Sequence, residues 1–241
     1  ITSHNGVDVE ASAEWARKDI DAAKNMVAED EFSRSRIDSL PRVLERLQAV
    51  HMDRRMHAAR TAESEGVASE TKLTKENFAY GMTPFLTWYE ISKSWPKSMR
   101  VCVVGSSTGS IPFYLSLAFG LRTTGYEILQ SLHRVACDVR SVCVGHDHRA
   151  LIDFVCSDIM LVDDLEKHDA FILCSQCWDH ELWSSLFHRI AQCANHGSIV
   201  IDYRSRLPDE SLAASFVHQS TVLLPTSWSS KTPFTTWKLQ G

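Results

Sequence analysis

Val101-Cys102-Val103-Val104-Gly105-Ser106-Ser107-Thr108-Gly109-Ser110, running on into a stretch of helical period at 111–119, is the segment whose reading decides the fold. A short run of apolar residues rich in β-branched side chains predicts a buried strand, and the glycine after it predicts where that strand stops. Strand, tight glycine turn and helix, in that order, form the unit that holds nucleotide-type cofactors, because the glycines let the backbone approach a ligand.

The same grammar continues on both sides. Thr83 followed by Pro84 predicts a helix reaching about residue 94, with Thr83 as its N-cap and the proline in its first turn. Further strands are expected at 123–127, 154–156, 170–173 and 198–202, with a closing pair at 221–224 and 234–239 and helices at 129–142 and 180–194. Strands alternating with helices predict an α/β fold whose sheet has seven strands. Ahead of it, spaced apolar residues (Trp15, Ile20, Met26, Val27) predict a helix over 8–30. A polar break at 33–39 precedes a second amphipathic helix, with Pro41 at its first position and Val43, Leu44, Leu47 and Val50 on one face. Residues 61–75 have no periodicity and predict a linker. The chain therefore divides into a helical region over 1–75 and an α/β domain over 76–241.

Composition bounds the function. The 241 residues include 25 Lys and Arg against 30 Asp and Glu, a formal net charge of −5, and 44% hydrophobic residues. Those values describe an ordinary globular protein with no global basic field, so nucleic acid would be met through a local patch. No apolar run is long enough for a membrane helix, and residues 1–6 lack the grammar of a signal peptide. Seven cysteines, an odd number, mostly in apolar surroundings, suit a reducing compartment and an intracellular protein.

Glu127 closes the second strand 18 positions after Gly109, where a doubly wound sheet places the acid that accepts the hydroxyls of a ribose. Asp158 and Ile159 follow the third strand, where a carboxylate can accept the adenine amino group and an apolar side chain can face the ring. The cofactor contacts expected are Val104, Gly105, Ser106, Thr108, Gly109, Ser110, Glu127, Asp158 and Ile159. A nicotinamide dinucleotide commonly uses a G-x-G-x-x-G turn, which is missing here. S-adenosylmethionine (SAM), which has no phosphate, fits the looser G-x-x-x-G, and methyl transfer is the reading that follows.

With those residues in view, the chain from about Asn77 onward resembles the disruptor of telomeric silencing family, the non-SET histone lysine methyltransferases. Tyr80-Gly81-Met82-Thr83 is similar to that family's Tyr-Gly-Glu-Thr element, and 103–109 to its Asp-Leu-Gly-Ser-Gly-x-Gly. Gly125-Tyr126-Glu127 matches Gly-x-Glu, and Ser157-Asp158-Ile159 is similar to Gly-Asp-Phe. Ser227-Trp228-Ser229-Ser230-Lys231 matches Ser-Trp-x-x-Lys. The resemblance implies a Rossmann-like SAM-dependent methyltransferase sheet with a helical N-terminal extension, S-adenosylhomocysteine as product, a nucleosomal histone three lysine as acceptor, a nuclear location, and weak contact with nucleosomal DNA. Tyr80, Trp228 and Phe234 are then expected to line a target-lysine channel. Tyr80, Thr83 and Ser175 would touch the cofactor, with Ser175 and Gln176 beside the reacting atoms. Val103 stands where the family has an aspartate, Met82 replaces the loop glutamate, and Cys174-Ser175-Gln176-Cys177 replaces Asn-Asn-Phe. The serine-rich turn resembles that of a divergent, kinetoplastid-type branch of the family.

Other readings compete. A SAM methyltransferase for RNA or a small molecule, with the N-terminal helices as a lid, uses the same cofactor residues. A SAM-fold binding module that has lost catalysis would account for Val103. Cys174-x-x-Cys177-x-x-His180 lacks a fourth zinc ligand at suitable spacing, His146-Asp147-His148 reads as a solvated loop, and no G-x-S-x-G elbow supports a hydrolase. Arg34, Arg36, Arg42, Arg46, Arg54, Arg55 and Arg60 crowd the N-terminal helices and are the candidates for reaching DNA.

Overall fold

The computed structural model describes residues 9–26, 28–56 and 82–241. The helices are α1 (Val9–Lys24), α2 (Glu31–Met56), α3 (Phe85–Ser92), α4 (Ser110–Phe113), α5 (Gln130–Cys143) and α6 (His180–Cys193). The strands are β1 (Arg100–Val104), β2 (Arg122–Glu127), β3 (Ile152–Cys156), β4 (Ala170–Leu173), β5 (Ile199–Asp202), β6 (Phe216–Thr226) and β7 (Ser229–Leu239). They form one sheet in the order β3-β2-β1-β4-β5-β7-β6. The first five are parallel; β7 runs antiparallel to β5, and β6 antiparallel to β7.

Side chains along a strand alternate between faces, and here both faces are apolar. Val101 and Val103 join Ala170, Ile172 and Ile201 in one core layer, whereas Cys102 and Val104 join Phe171, Leu173 and Val200 in the other. The second layer is closed by α6, whose Trp183, Leu186, Phe187 and Ile190 recur at helical spacing and are buried. The first layer takes in Ile20 and Ala23 from α1 and Leu40, Val43, Leu44 and Leu47 from α2. The N-terminal helices thus share a core with β1 and β4. The division expected at 61–75 lies outside the described residues.

Two expected helix starts are corrected. The polar stretch 33–39 is helical, and Pro41 lies inside α2 rather than at its first position. Asp30 accepts the Ser33 N–H at 2.7 Å and so starts the helix upstream. Arg36, buried at 6% exposure, donates Nε–H to the Leu117 carbonyl at 3.0 Å. Thr83 does not cap α3, because its hydroxyl is paired with the Tyr203 hydroxyl at 2.7 Å. The Phe85 N–H donates instead to Asp19 of α1 at 2.9 Å, and the same carboxylate accepts the Tyr114 hydroxyl at 3.0 Å. The segment expected as one helix over 111–119 is α4 followed by a π-helical turn, Tyr114–Ala118.

The closing pair is longer than expected, 11 residues in each strand, because exposed polar residues of β6 carry no apolar signal. The pairing passes from His218↔Trp237 to Ser220↔Thr236, so Gln219 is an extra residue in the edge strand, a β-bulge.

Candidate functional site

The carboxyl ends of β1 to β5 meet at one edge of the sheet. Chain order reverses between β1 and β4, the position where open α/β sheets bind ligands. After β1 the backbone turns through left-handed conformations at Gly105 (φ 72°), Ser107 (φ 51°) and Gly109 (φ 90°). The turn is stitched to β2. The N–H groups of Gly105 and Ser106 both donate to the Tyr126 carbonyl, at 3.0 and 2.9 Å, and the Ser107 N–H donates to Glu127 Oε2 at 2.8 Å. Glu127 Oε1 accepts the Leu129 N–H at 2.9 Å, so one carboxylate fixes both the glycine turn and the approach to α5. A carboxylate has about four lone-pair sites and no donor, the chemistry that accepts a pair of vicinal hydroxyls.

The reason for Gly109 differs from expectation. A Cβ there would lie 2.6 Å from the Phe154 ring, so packing beneath the turn by itself requires a glycine at this position. At Gly105 a Cβ would meet Cys174 and Trp178 at 3.5 Å, which places the β4 end directly across the crevice. Val103 is fully buried in the first core layer and offers the crevice nothing polar. Val104 is buried and accepts the Cys174 N–H through its carbonyl. Ser106 and Thr108 are buried within the turn, and Ser110 starts α4 half-buried. After β3, Asp158 is half-buried and accepts the Met160 N–H at 2.9 Å; Ile159 beside it is buried against Val104 and Tyr126.

After β4 a short 3₁₀ turn, Ser175–Cys177, exposes Gln176 but buries Ser175 completely. The Ser175 hydroxyl donates to Asp202 at the end of β5. Ser175 is therefore corrected as a contact to reacting atoms; of the expected pair only Gln176 is exposed. Asp202, fully buried, also accepts the Trp183 indole N–H at 2.8 Å and the Tyr203 N–H at 2.8 Å. Burial nevertheless pushes its carboxyl up to about 6. Arg204 stacks 4.1 Å over the Trp183 ring and donates to the carbonyls of Ser175 (2.9 Å) and Trp178 (2.6 Å). Burial also pushes the Cys174 thiol up to about 12, which leaves it a neutral, unreactive group.

Beyond β5 the β6–β7 hairpin folds against the chain leading into α3. The Met82 N–H donates to the Ser227 hydroxyl at 2.9 Å, and the Ser227 N–H donates back to the Met82 carbonyl at 2.9 Å. Trp228, 38% exposed, lies 5.9 Å from the Tyr203 ring, and Tyr203 in turn holds Thr83. Phe234 is corrected from channel to core: it is buried between Trp88 (5.8 Å) and Tyr203 (4.9 Å). Tyr80 lies outside the described residues. The structure adds Trp178, Trp183, Asp202, Tyr203 and Arg204 to the residues expected from sequence. An acid that ends a buried strand at the same edge as Glu127 was the available signal for this group.

No known family profile and no curated protein matches the sequence. Solved structures do. The glycopeptide N-methyltransferase MtfA in complex with SAM superposes with a TM-score of 0.51 at 11% identity, over 64% of this chain and 92% of that one. A variant of MtNAS in complex with SAM superposes with a TM-score of 0.50 at 12% identity, over 96% of this chain and 73% of that one. MtfA complexed with sinefungin gives 0.51 at 10% identity, over 65% of this chain and 92% of that one. The chain has the Rossmann-like fold of SAM-dependent methyltransferases, with helices added at its N-terminus.

Proposed function

We propose that this chain transfers a methyl group from SAM to a lysine amine of a nucleosomal core histone, histone three, in the nucleus, releasing S-adenosylhomocysteine. The observation that carries the cofactor half is Glu127, a buried carboxylate at the carboxyl end of β2 that is bonded to the glycine turn itself. That donor-poor, acceptor-rich end suits the ribose hydroxyls of a nucleoside. Asp158 has a second carboxylate oxygen for the adenine amino group, and Ile159 supplies an apolar edge beside it. Nothing basic is needed at the turn, because SAM brings no phosphate.

When bound, SAM supplies an electrophilic methyl group on a sulfonium. The N–C bond forms as the C–S bond breaks, and the amine then loses a proton to water. The chain has to present a neutral amine in line with that bond and exclude water. A free lysine amine has a pKa near about 10.4, and desolvation against aromatic surface lowers it. Trp228, 38% exposed and backed by the buried Tyr203 ring, provides such a surface. The two-way hydrogen bonding of Met82 and Ser227 supports the lysine reading, because it brings together two of the elements that carry the family resemblance. Arg34, Arg42 and Arg46 are exposed on α2 and suit weak DNA contact; Arg36 is withdrawn from that role by its bond to Leu117.

Calorimetry with SAM on the wild type and on Glu127→Ala and Asp158→Ala tests the cofactor half. Both substitutions should weaken binding at least about tenfold, since a lost charge-assisted hydrogen bond is worth about 1.5–3 kcal/mol. Failure of the wild type to bind SAM overturns the proposal and favours a scaffold that has lost catalysis. Transfer of tritiated methyl to nucleosomes, free histone, RNA and small amines then decides the acceptor. Labelling of RNA or a small amine in place of nucleosomes replaces the lysine reading and leaves the cofactor reading in force.

A further inference from the structure

We infer that Asp202 is a positioning residue for methyl transfer, one buried carboxylate that sets the turn after β4 and the aromatic wall of the acceptor mouth together. The inference rests on the reading of the crevice as a SAM site. Asp202 is fully buried at the carboxyl end of β5. It accepts three donors from three places: the Ser175 hydroxyl in the turn after β4, the Trp183 indole N–H of α6 at 2.8 Å, and the Tyr203 N–H of its own segment at 2.8 Å. Burying a carboxylate is costly, and an apolar side chain of similar size in that core would be tolerated more readily. What the carboxylate achieves is specific. It draws Ser175 inward, so the turn exposes Gln176, and it orients the segment that carries Tyr203 and Arg204.

The two following residues extend that control in opposite directions. Arg204 reaches back to the Ser175 and Trp178 carbonyls, clamping the same turn from its open side. Tyr203 reaches forward, with its hydroxyl on Thr83 at 2.7 Å and its ring beside Trp228. Trp178 lies against Gly105, so the clamped turn also borders the cofactor side of the crevice. Three consecutive residues therefore connect the cofactor turn, the turn after β4 and the acceptor wall. Every neighbour bonded to the carboxylate donates to it, Arg204 is the nearby cation, and Tyr203 is the other titratable group of the cluster. A proton added to Asp202 removes the negative charge that strengthens all three bonds and so loosens its hold on them.

The test uses the full chain with Asp202→Asn, Asp202→Ala and Ser175→Ala. It reads backbone hydrogen exchange at 175–178, SAM affinity by calorimetry, and steady-state methyl transfer to nucleosomes or whichever acceptor labels in the preceding assay. The asparagine offers a carbonyl oxygen to two donors but turns an N–H₂ group toward the third. Asp202→Asn is expected to keep SAM affinity within about threefold while kcat falls about 10- to 100-fold, the size of effect that misplacement by an ångström produces. The wild-type kcat should fall as pH drops through about 6, and Asp202→Asn should lose that limb. Exchange at 175–178 should rise in Asp202→Ala and, less, in Ser175→Ala. Wild-type kcat in Asp202→Asn, or a loss fully matched by a loss of SAM affinity, overturns the inference. So does unchanged exchange at 175–178 in Asp202→Ala while SAM still binds. A wild type that binds no SAM overturns the cofactor reading and the catalytic half of this inference with it.

Discussion

Replacing Gly109 by alanine separates two physical demands made on one position. The residue sits at φ 90°, a conformation that costs a side-chain-bearing residue roughly 1–2 kcal/mol. A methyl group there would also lie 2.6 and 2.8 Å from two atoms of the Phe154 ring and 3.0 Å from Phe113. Phe113 is fully buried and Phe154 nearly so, and the two rings pack edge to face at 5.3 Å, so neither can swing clear without opening the core. Overpacking of that kind costs about 1–3 kcal/mol. Gly109→Ala should therefore lose about 2–5 kcal/mol in urea unfolding, read as a lower midpoint with an unchanged slope. In Gly109→Ala/Phe154→Leu the packing share should be recovered as a coupling energy of about 1–3 kcal/mol, with the backbone share remaining. A single variant that loses less than about 1 kcal/mol, or a double variant whose losses simply add, would refute the account of this turn.

Asp19 carries a second prediction. Burial pushes its carboxyl up to about 7 from 3.8, so the native state keeps a proton that the unfolded chain has released between those values. Its contribution to stability is full below about pH 4 and is lost as pH rises toward 7, by at most about 4 kcal/mol; Asp19→Asn should flatten that part of the stability profile. Arg36→Leu should cost about 1–3 kcal/mol in thermal or chemical unfolding, because the Leu117 carbonyl loses its buried donor. Trp228→Ala should leave SAM affinity unchanged and raise the acceptor KM about tenfold or more, with little change in unfolding, since the side chain is 38% exposed. A Trp228→Ala effect confined to stability would remove it from the acceptor wall.

β1 and β4 are legible because both faces are buried and Val101–Val104 and Ala170–Leu173 read as unbroken apolar runs; β2, Arg122–Glu127, falls within a residue of expectation without such a run. The start of α2 is not legible. Ser33, Arg36 and Ser39 look like a polar break, yet all three are buried, and the partners that make this tolerable (Asp30, the Leu117 carbonyl and the Ser35 carbonyl) include one 81 residues away. Glu127 closes β2 and Asp158 follows β3, the positions that the strand pattern predicts for them. Ser175 was placed in the right turn with the wrong orientation, because its hydroxyl is claimed by Asp202, 27 residues further on. Phe234 matched a motif by position, while its ring is committed to Trp88 and Tyr203. A one-dimensional pattern reports which face a residue occupies far better than which distant group will claim its polar atoms.

The bulge at Gln219 bears on how the protein behaves at high concentration. β6 is the outermost strand, 11 residues long, and between Phe216 and Thr226 it contains no Lys, Arg, Asp or Glu, while Val222 and Leu223 stand exposed. A straight edge of that composition invites another copy to pair along it and grow into an aggregate. The extra residue bends the strand and interrupts its row of free N–H and C=O groups, doing the work that edge charges do elsewhere. Deleting Gln219 would straighten the first half of the edge strand and should raise the tendency of copies to associate along it, read as a larger scattering mass at high concentration.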